Sequence, residues 1–216
     1  MKSPCQTRRV FLLGSTVALV LAASACGNGS VNNEESARRA YFGLDRAVEK
    51  TLNLGMQGFA MASSANIPTQ MGTGDGVATP GGTLTVGGQV DQGNSDNKGL
   101  RLSTDFVDYQ DDFPTGDDAG VVVIVYNAAS NGTRTLNFTL RGIPVAGSSA
   151  TGTYDGTFVQ TFHMTHDLMG DVTLNLMFHG TINRTADGTL VRTPGSTTIT
   201  GTAVSPYGTY NVNITR

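Results

Sequence analysis

Two groupings of side chains in this chain have the types that do chemistry. HMTH at residues 163–166, followed by Asp167, Asp171 and His179, gathers imidazoles and carboxylates into a short stretch. Imidazole binds zinc or moves protons, and either task needs the groups on one side of the backbone. On an extended strand His163 and His166 fall on opposite faces. With a hairpin turn at 169–171, His163 and His179 become diagonal neighbours on the polar face. Two imidazoles without a third fixed ligand make a poor zinc site, so solvated histidines on a sheet surface are the expectation. The second grouping is acidic, DFVDYQDDFPTGDDAG at 105–120. Asp108, Asp111, Asp112, Asp117 and Asp118 could offer oxygens to Ca2+, which takes about six to eight of them. The spacing is not that of an EF-hand and the closing Glu is missing, so the competing expectation is a charged strand end that guards a sheet edge.

Nothing commits other groups to catalysis. The chain has no GxSxG elbow, no HExxH helix and no GxxxxGK loop, and its last Glu is Glu49. No catalytic residue, nucleotide or cofactor is expected, and paired carboxylates for acid–base work would have to come from Asp alone.

The opening residues, MKSPCQTRRVFLLGSTVALVLAASAC, carry a different chemistry. A basic start (Lys2, Arg8, Arg9), an apolar run from Val10 to about Ala23 and a small-residue end have the layout of a secretory signal peptide. The run is shorter than the about 20 residues that span a bilayer core. TRRVFLL, with Arg8 and Arg9, resembles the twin-arginine export signal, which implies export in the folded state; the same two arginines would equally serve an ordinary signal. AASAC at 22–26 resembles the lipobox of bacterial lipoproteins, in which the Cys thiol is alkylated by diacylglycerol and becomes the new N-terminus. Ala23-Ser24-Ala25 also fits ordinary signal peptidase, and either cleavage leaves Cys26 first. The chain's one other cysteine, Cys5, lies in the removed segment, so Cys26 would be left without a partner in an oxidising compartment. Lipidation gives it one role; an unpaired thiol or an intermolecular disulfide are the alternatives. The resemblance implies a membrane partner reached through a lipid anchor at Cys26. Gly27, rather than Asp, after the Cys implies outer-membrane delivery where the host has such a membrane.

Residues 26–216 suit one domain with a single core. Without Lys2, Arg8 and Arg9 they hold 11 basic and 17 acidic side chains, and the stretch 91–118, with eight Asp against Lys98 and Arg101, carries the whole excess. No basic stripe is available for nucleic acid.

The elements that must position these groups follow from periodicity. After the signal peptide (1–25) and a Gly-containing tether (26–31), Asn32 or Asn33 can cap an amphipathic helix over 32–62, with Ala37, Tyr41, Leu44, Val48, Leu52 and Phe59 near helical spacing. Residues 63–81 read as a loop or linker. From residue 82 to 216 the period becomes two, in about eight β-branched and aromatic runs separated by turn residues. The expected fold is mainly β, an antiparallel meander closed as a barrel, half-barrel or sandwich, with the helix against or inside it. The body resembles Gly/Thr-rich β lipoproteins only in composition, which identifies no site.

Two function classes fit. One is a non-enzymatic structural or binding protein of the envelope, whose Thr/Asn/Gly face meets wall, glycan or protein. The other is a carrier of a lipid or other hydrophobic ligand, with Phe106, Phe138, Phe158, Phe162, Met164, Leu176 and Phe178 lining a cavity or, equally, filling a core.

Overall fold

The computed structural model describes residues 29–62, 64–75, 81–91, 95–111, 113–114 and 121–216. The helical segment is two helices, α1 (Glu34–Phe42) and α2 (Asp45–Met61), rather than the single one expected. Asn33 caps α1: its side chain accepts from the Ser36 amide while the Ser36 hydroxyl accepts from the Asn33 amide, a reciprocal box that satisfies two orphan donors. The break between the helices falls at Gly43, where a side chain would collide with the Tyr126 ring. The Tyr126 hydroxyl donates to the Ala40 carbonyl at 2.8 Å.

The strands are β1 (Asn66–Gly74), β2 (Gly81–Val90), β3 (Lys98–Val107), β4 (Phe113–Pro114), β5 (Val121–Val122), β6 (Ile124–Ala128), β7 (Arg134–Arg141), β8 (Gly152–His166), β9 (Gly170–Arg184), β10 (Leu190–Arg192), β11 (Thr198–Ser205) and β12 (Gly208–Thr215). One antiparallel sheet runs β1-β2-β3-β7-β8-β9-β11-β12, with β6 beside the far half of β8 and β10 beside the far half of β9, while β4 and β5 pair apart. The path does not return on itself, so the sheet is open, with β1 and β12 at its ends, and of the expected forms the closed barrel is not the one observed. β1 corrects the expectation of a loop over 63–81. Its sequence, NIPTQMGTG, buries Ile67 alone, so no alternation announces it.

Alternation along the other strands sends one set of side chains inward. Leu84, Leu102, Phe106, Leu136, Phe138, Phe158, Phe162, Leu176, Phe178 and Ile199 form one core with Ala37, Ala40, Tyr41, Val48 and Leu52 of the helices. Helix α2 lies across β1, β2, β3 and β10, and α1 lies on β12, so the helices occupy the concave side. Gly55 and Gly58 are where α2 comes closest: a Cβ on Gly55 would stand 3.0 Å from Leu102 Cδ1, and one on Gly58 3.0 Å from the Pro68 carbonyl.

Polar side chains fasten α2 on both flanks. Arg192 of β10 binds Asp45 bidentately, at 2.8 and 2.9 Å, and pairs with Glu49 at 3.2 Å. Asn53 accepts from the Leu190 amide and donates to its carbonyl, both at 2.9 Å, so its amide acts as one more strand residue on the edge of β10. On the other flank Lys50 pairs with Asp75 at 2.8 Å and Asp111 at 2.7 Å.

Candidate functional site

Among the described residues, two of the concave surfaces combine polar groups with apolar lining in ways that suit a partner. The first is the outer face of β7, β8, β9 and β11. Direct register partners make rows across these strands: Thr139, Asp155, His179 and Thr198 in one, Asn137, Thr157, Met177 and Thr200 in the next. These two rows border a groove of about 410 Å3 with Gly156 and Phe178 among its lining. Asp155 organises it, bonded to His179 Nδ1 at 2.7 Å through one oxygen and accepting from Arg141 at 2.6 Å through the other. The bond with His179, and after it the one with Arg141, holds this carboxyl below the usual carboxylate range. The groove therefore offers a fixed anion, hydroxyls and amides in rows, and the exposed Met177.

The second surface is the mouth where α2 ends. The loops after β2, β7 and β9 surround about 750 Å3 there, with Met56, Phe59, Ile143 and Val145 as apolar lining and Asp96, Lys98, Arg184 and Asp187 as charges. Lys98 is only 5% exposed, its Nζ 5.0 Å from the centre of the Phe59 ring and bonded to the Ser95 carbonyl. Burial lowers its pKa below the ordinary lysine value, with Asp96 acting in the opposite sense. The amine thus stands at the wall of the cleft already engaged by the Ser95 carbonyl and the Phe59 ring.

The histidines are not placed as the sequence suggested. The β8–β9 turn centres on Asp167, not on 169–171, so His163 opposes Asp171 and His179 opposes Asp155. Eight residues along β9 separate the two pairs, about 27 Å at strand rise, and they are not diagonal neighbours. The turn sits there because Asp167 Oδ2 accepts from the Val123 amide at 2.8 Å and because Gly170, at φ 99°, takes the left-handed conformation. His163 bonds Asp171 at 2.9 Å. That the same His–Asp pairing occurs twice between register partners marks both as cross-strand surface pairs, worth about 0.2–1 kcal/mol each.

Of the candidate Ca2+ ligands, Asp111 is buried, bound to Lys50 and to the Asp75 amide through Oδ1 and to the Tyr109 hydroxyl at 2.5 Å through Oδ2. Asp108 accepts from the side-chain amide of Asn127 at 3.0 Å. Asp112, Asp117 and Asp118 lie outside the described residues, as do Arg8, Arg9 and Cys26. Among the described residues no group of three or more His, Cys, Asp or Glu is placed to hold a metal ion. Nor is any helix among them long and apolar enough to cross a membrane.

Phe106, Phe138, Phe158, Phe162, Met164, Leu176 and Phe178, the candidate cavity lining, are each at most 3% exposed and pack in the common core. The Asp155–His179–Arg141 cluster and the Lys98 mouth escaped sequence reasoning. The alternation that puts Asp155 and His179 on the polar face was legible, but which residues oppose each other depends on where the hairpin turns. Comparison with family models, curated proteins and solved structures returned no match.

Proposed function

We propose that this chain is a cell-envelope lipoprotein, held at a membrane through a diacylglycerol thioether on Cys26, and that its work is contact rather than catalysis. The contact surface is the outer face of β7, β8, β9 and β11, turned toward a wall, glycan or protein partner. The observation that carries this reading is the division between inside and outside: the concave side is filled by the protein's own helices and aromatic side chains, while the convex side keeps a groove with Asp155, His179 and rows of Thr and Asn. Such rows present fixed donors and acceptors along an open groove, which suits a polymer or protein surface better than a small apolar molecule.

Carriage of a hydrophobic ligand is the second reading, supported by the mouth at the end of α2, whose Phe59, Ile143 and Val145 would take an apolar chain beside Lys98. Native mass spectrometry and lipid extraction of protein purified from its own envelope separate the two. A copurifying wall fragment or protein, lost on changing Asp155→Ala with His179→Ala, supports the contact role. A stoichiometric apolar ligand lost on Phe59→Ser moves the function to the mouth. Catalytic turnover that disappears with a single Asp or His substitution would sink both.

A further inference from the structure

We propose that the end of the molecule bearing the β8–β9 and β11–β12 turns rests directly on the lipid bilayer, with Tyr207, Val204 and Met169 at headgroup depth and the α2 mouth facing away. This rests on acylation at Cys26, and adds what that acylation alone leaves open: which surface the membrane covers.

The argument is one of reach. Gly29 is fixed to the β8–β9 turn, donating to the Asp167 carbonyl at 3.2 Å and accepting from the Met169 amide at 3.0 Å. Two residues on, the Val31 carbonyl accepts from the Ser205 hydroxyl at 2.5 Å, beside the β11–β12 turn. Three peptide steps separate Cys26 from Gly29, and consecutive Cα atoms are about 3.8 Å apart, so no conformation of that segment spans more than about 11 Å. The headgroup layer alone accounts for about 5–8 Å on each side of the hydrocarbon core. With its acyl chains inserted, Cys26 therefore holds the two turns within roughly 10 Å of the headgroup surface even at full extension, too short a tether for the far end of the body to turn toward the bilayer.

The surface so placed has matching chemistry. Tyr207 is 64% exposed at the tip of its turn, with Val204 at 42% on the same hairpin and Met169 at 41% on the neighbouring one. Tyrosine favours the membrane–water boundary, where its ring is shielded and its hydroxyl stays wet. Lys and Arg do not accompany these residues on the turns, and Asp108 and Asp171 are exposed at the same end. The contact is consequently apolar and aromatic, needs no anionic lipid and persists at high salt. Strand direction puts the loops after β2, β7 and β9, and hence the α2 mouth, at the opposite end.

The chain contains no tryptophan, so a single Trp is an unambiguous reporter. Full-length acylated Tyr207→Trp protein is reconstituted into phosphatidylcholine vesicles with brominated acyl chains, beside Val204→Trp and, at the far end, Val145→Trp. Flotation with the vesicles verifies the anchor independently. The expected result is flotation of all three, with blue-shifted and quenched emission from Tyr207→Trp and Val204→Trp and unquenched emission from Val145→Trp, unchanged at high salt. Flotation with equal quenching at both ends, or with none at Tyr207 and Val204, overturns the orientation while leaving the anchor intact. A blue shift without bromine quenching points to a second protein copy on the turns and overturns it as well. Failure to float removes the anchor reading and this inference together.

Discussion

Asp45 and Arg192 form a buried ion pair that ties α2 to β10. Both are nearly buried, the Tyr41 hydroxyl donates to Asp45, and Arg216 stands 3.6 Å away as a second cation. Burial pushes the Asp45 carboxyl up, but the hydrogen bond and charge of Arg192 outweigh it, and the net result lies below its ordinary value of 3.8. Such a folded-state depression stabilises fully above the unfolded value and is lost as pH falls below 3.8 through the folded one. Arg192→Ala leaves the carboxylate buried without its main partner and is expected to cost about 3–5 kcal/mol, measured by denaturant titration near neutral pH. A loss under about 1 kcal/mol, the worth of an exposed pair, would contradict the burial argument. The opposite end of the pH scale tests the tyrosines. Burial first, and neighbouring carboxylates second, raise Tyr41, Tyr109 and Tyr126 above their ordinary value of 10.0, and burial raises Tyr154. The folded state then holds protons that the unfolded state releases above pH 10, so stability falls as pH rises past that point. Their tyrosinate absorbance is expected to appear together with loss of the near-ultraviolet circular dichroism, not before it. The partnership of Asp45 with Arg192 was not legible beforehand: 147 residues separate them, and sequence spacing is silent on contacts of that range.

Helix α2 is the element that turns an open sheet into a closed core. Its apolar side covers β1, β2 and β3, and Glu49 and Asn53 satisfy backbone groups on the edge of β10 that would otherwise be left beside a helix without partners. Asn53→Ala removes both bonds to Leu190 and is expected to destabilise by about 1–3 kcal/mol in thermal or denaturant unfolding, whereas Asn66→Ala on exposed β1 should fall within about 0.5 kcal/mol of the parent. Equal effects would mean that α2 does not depend on this edge. At this scale the sequence was a good guide wherever burial was one-sided. Leu136, Phe138 and Leu140, or Val172 through Ile182, alternate because one face meets the core, and the eight expected strands are all present. It failed where that physical cause is weak: in β1, an edge strand with Pro68 and one buried residue, in the three-residue β10, and at Gly43, where the helix ends beside the Tyr126 ring at a position with no room for a side chain.

The molecule as a whole is one core shared by helices and sheet, since Tyr41, Leu44, Val48 and Leu52 sit among Phe106, Phe162 and Phe178. Helical and aromatic circular dichroism should therefore be lost in a single thermal transition; helix melting well below the sheet would show that α1 and α2 are an appendage. Filling the inner side with its own helices leaves, among the described residues, the outer sheet face and the α2 mouth open to a partner, and in the proposed lipoprotein the pinning of Gly29 sets which end would face the membrane. The proposed cellular role rests on Cys26. The most direct test is metabolic labelling with a palmitate analogue, followed by membrane fractionation, of the full-length protein and its Cys26→Ser variant. The parent is expected to carry the label and sediment with membranes, and the variant to lose both properties. An unlabelled parent, or a variant that still labels and still sediments, would contradict the account of this chain as an envelope lipoprotein.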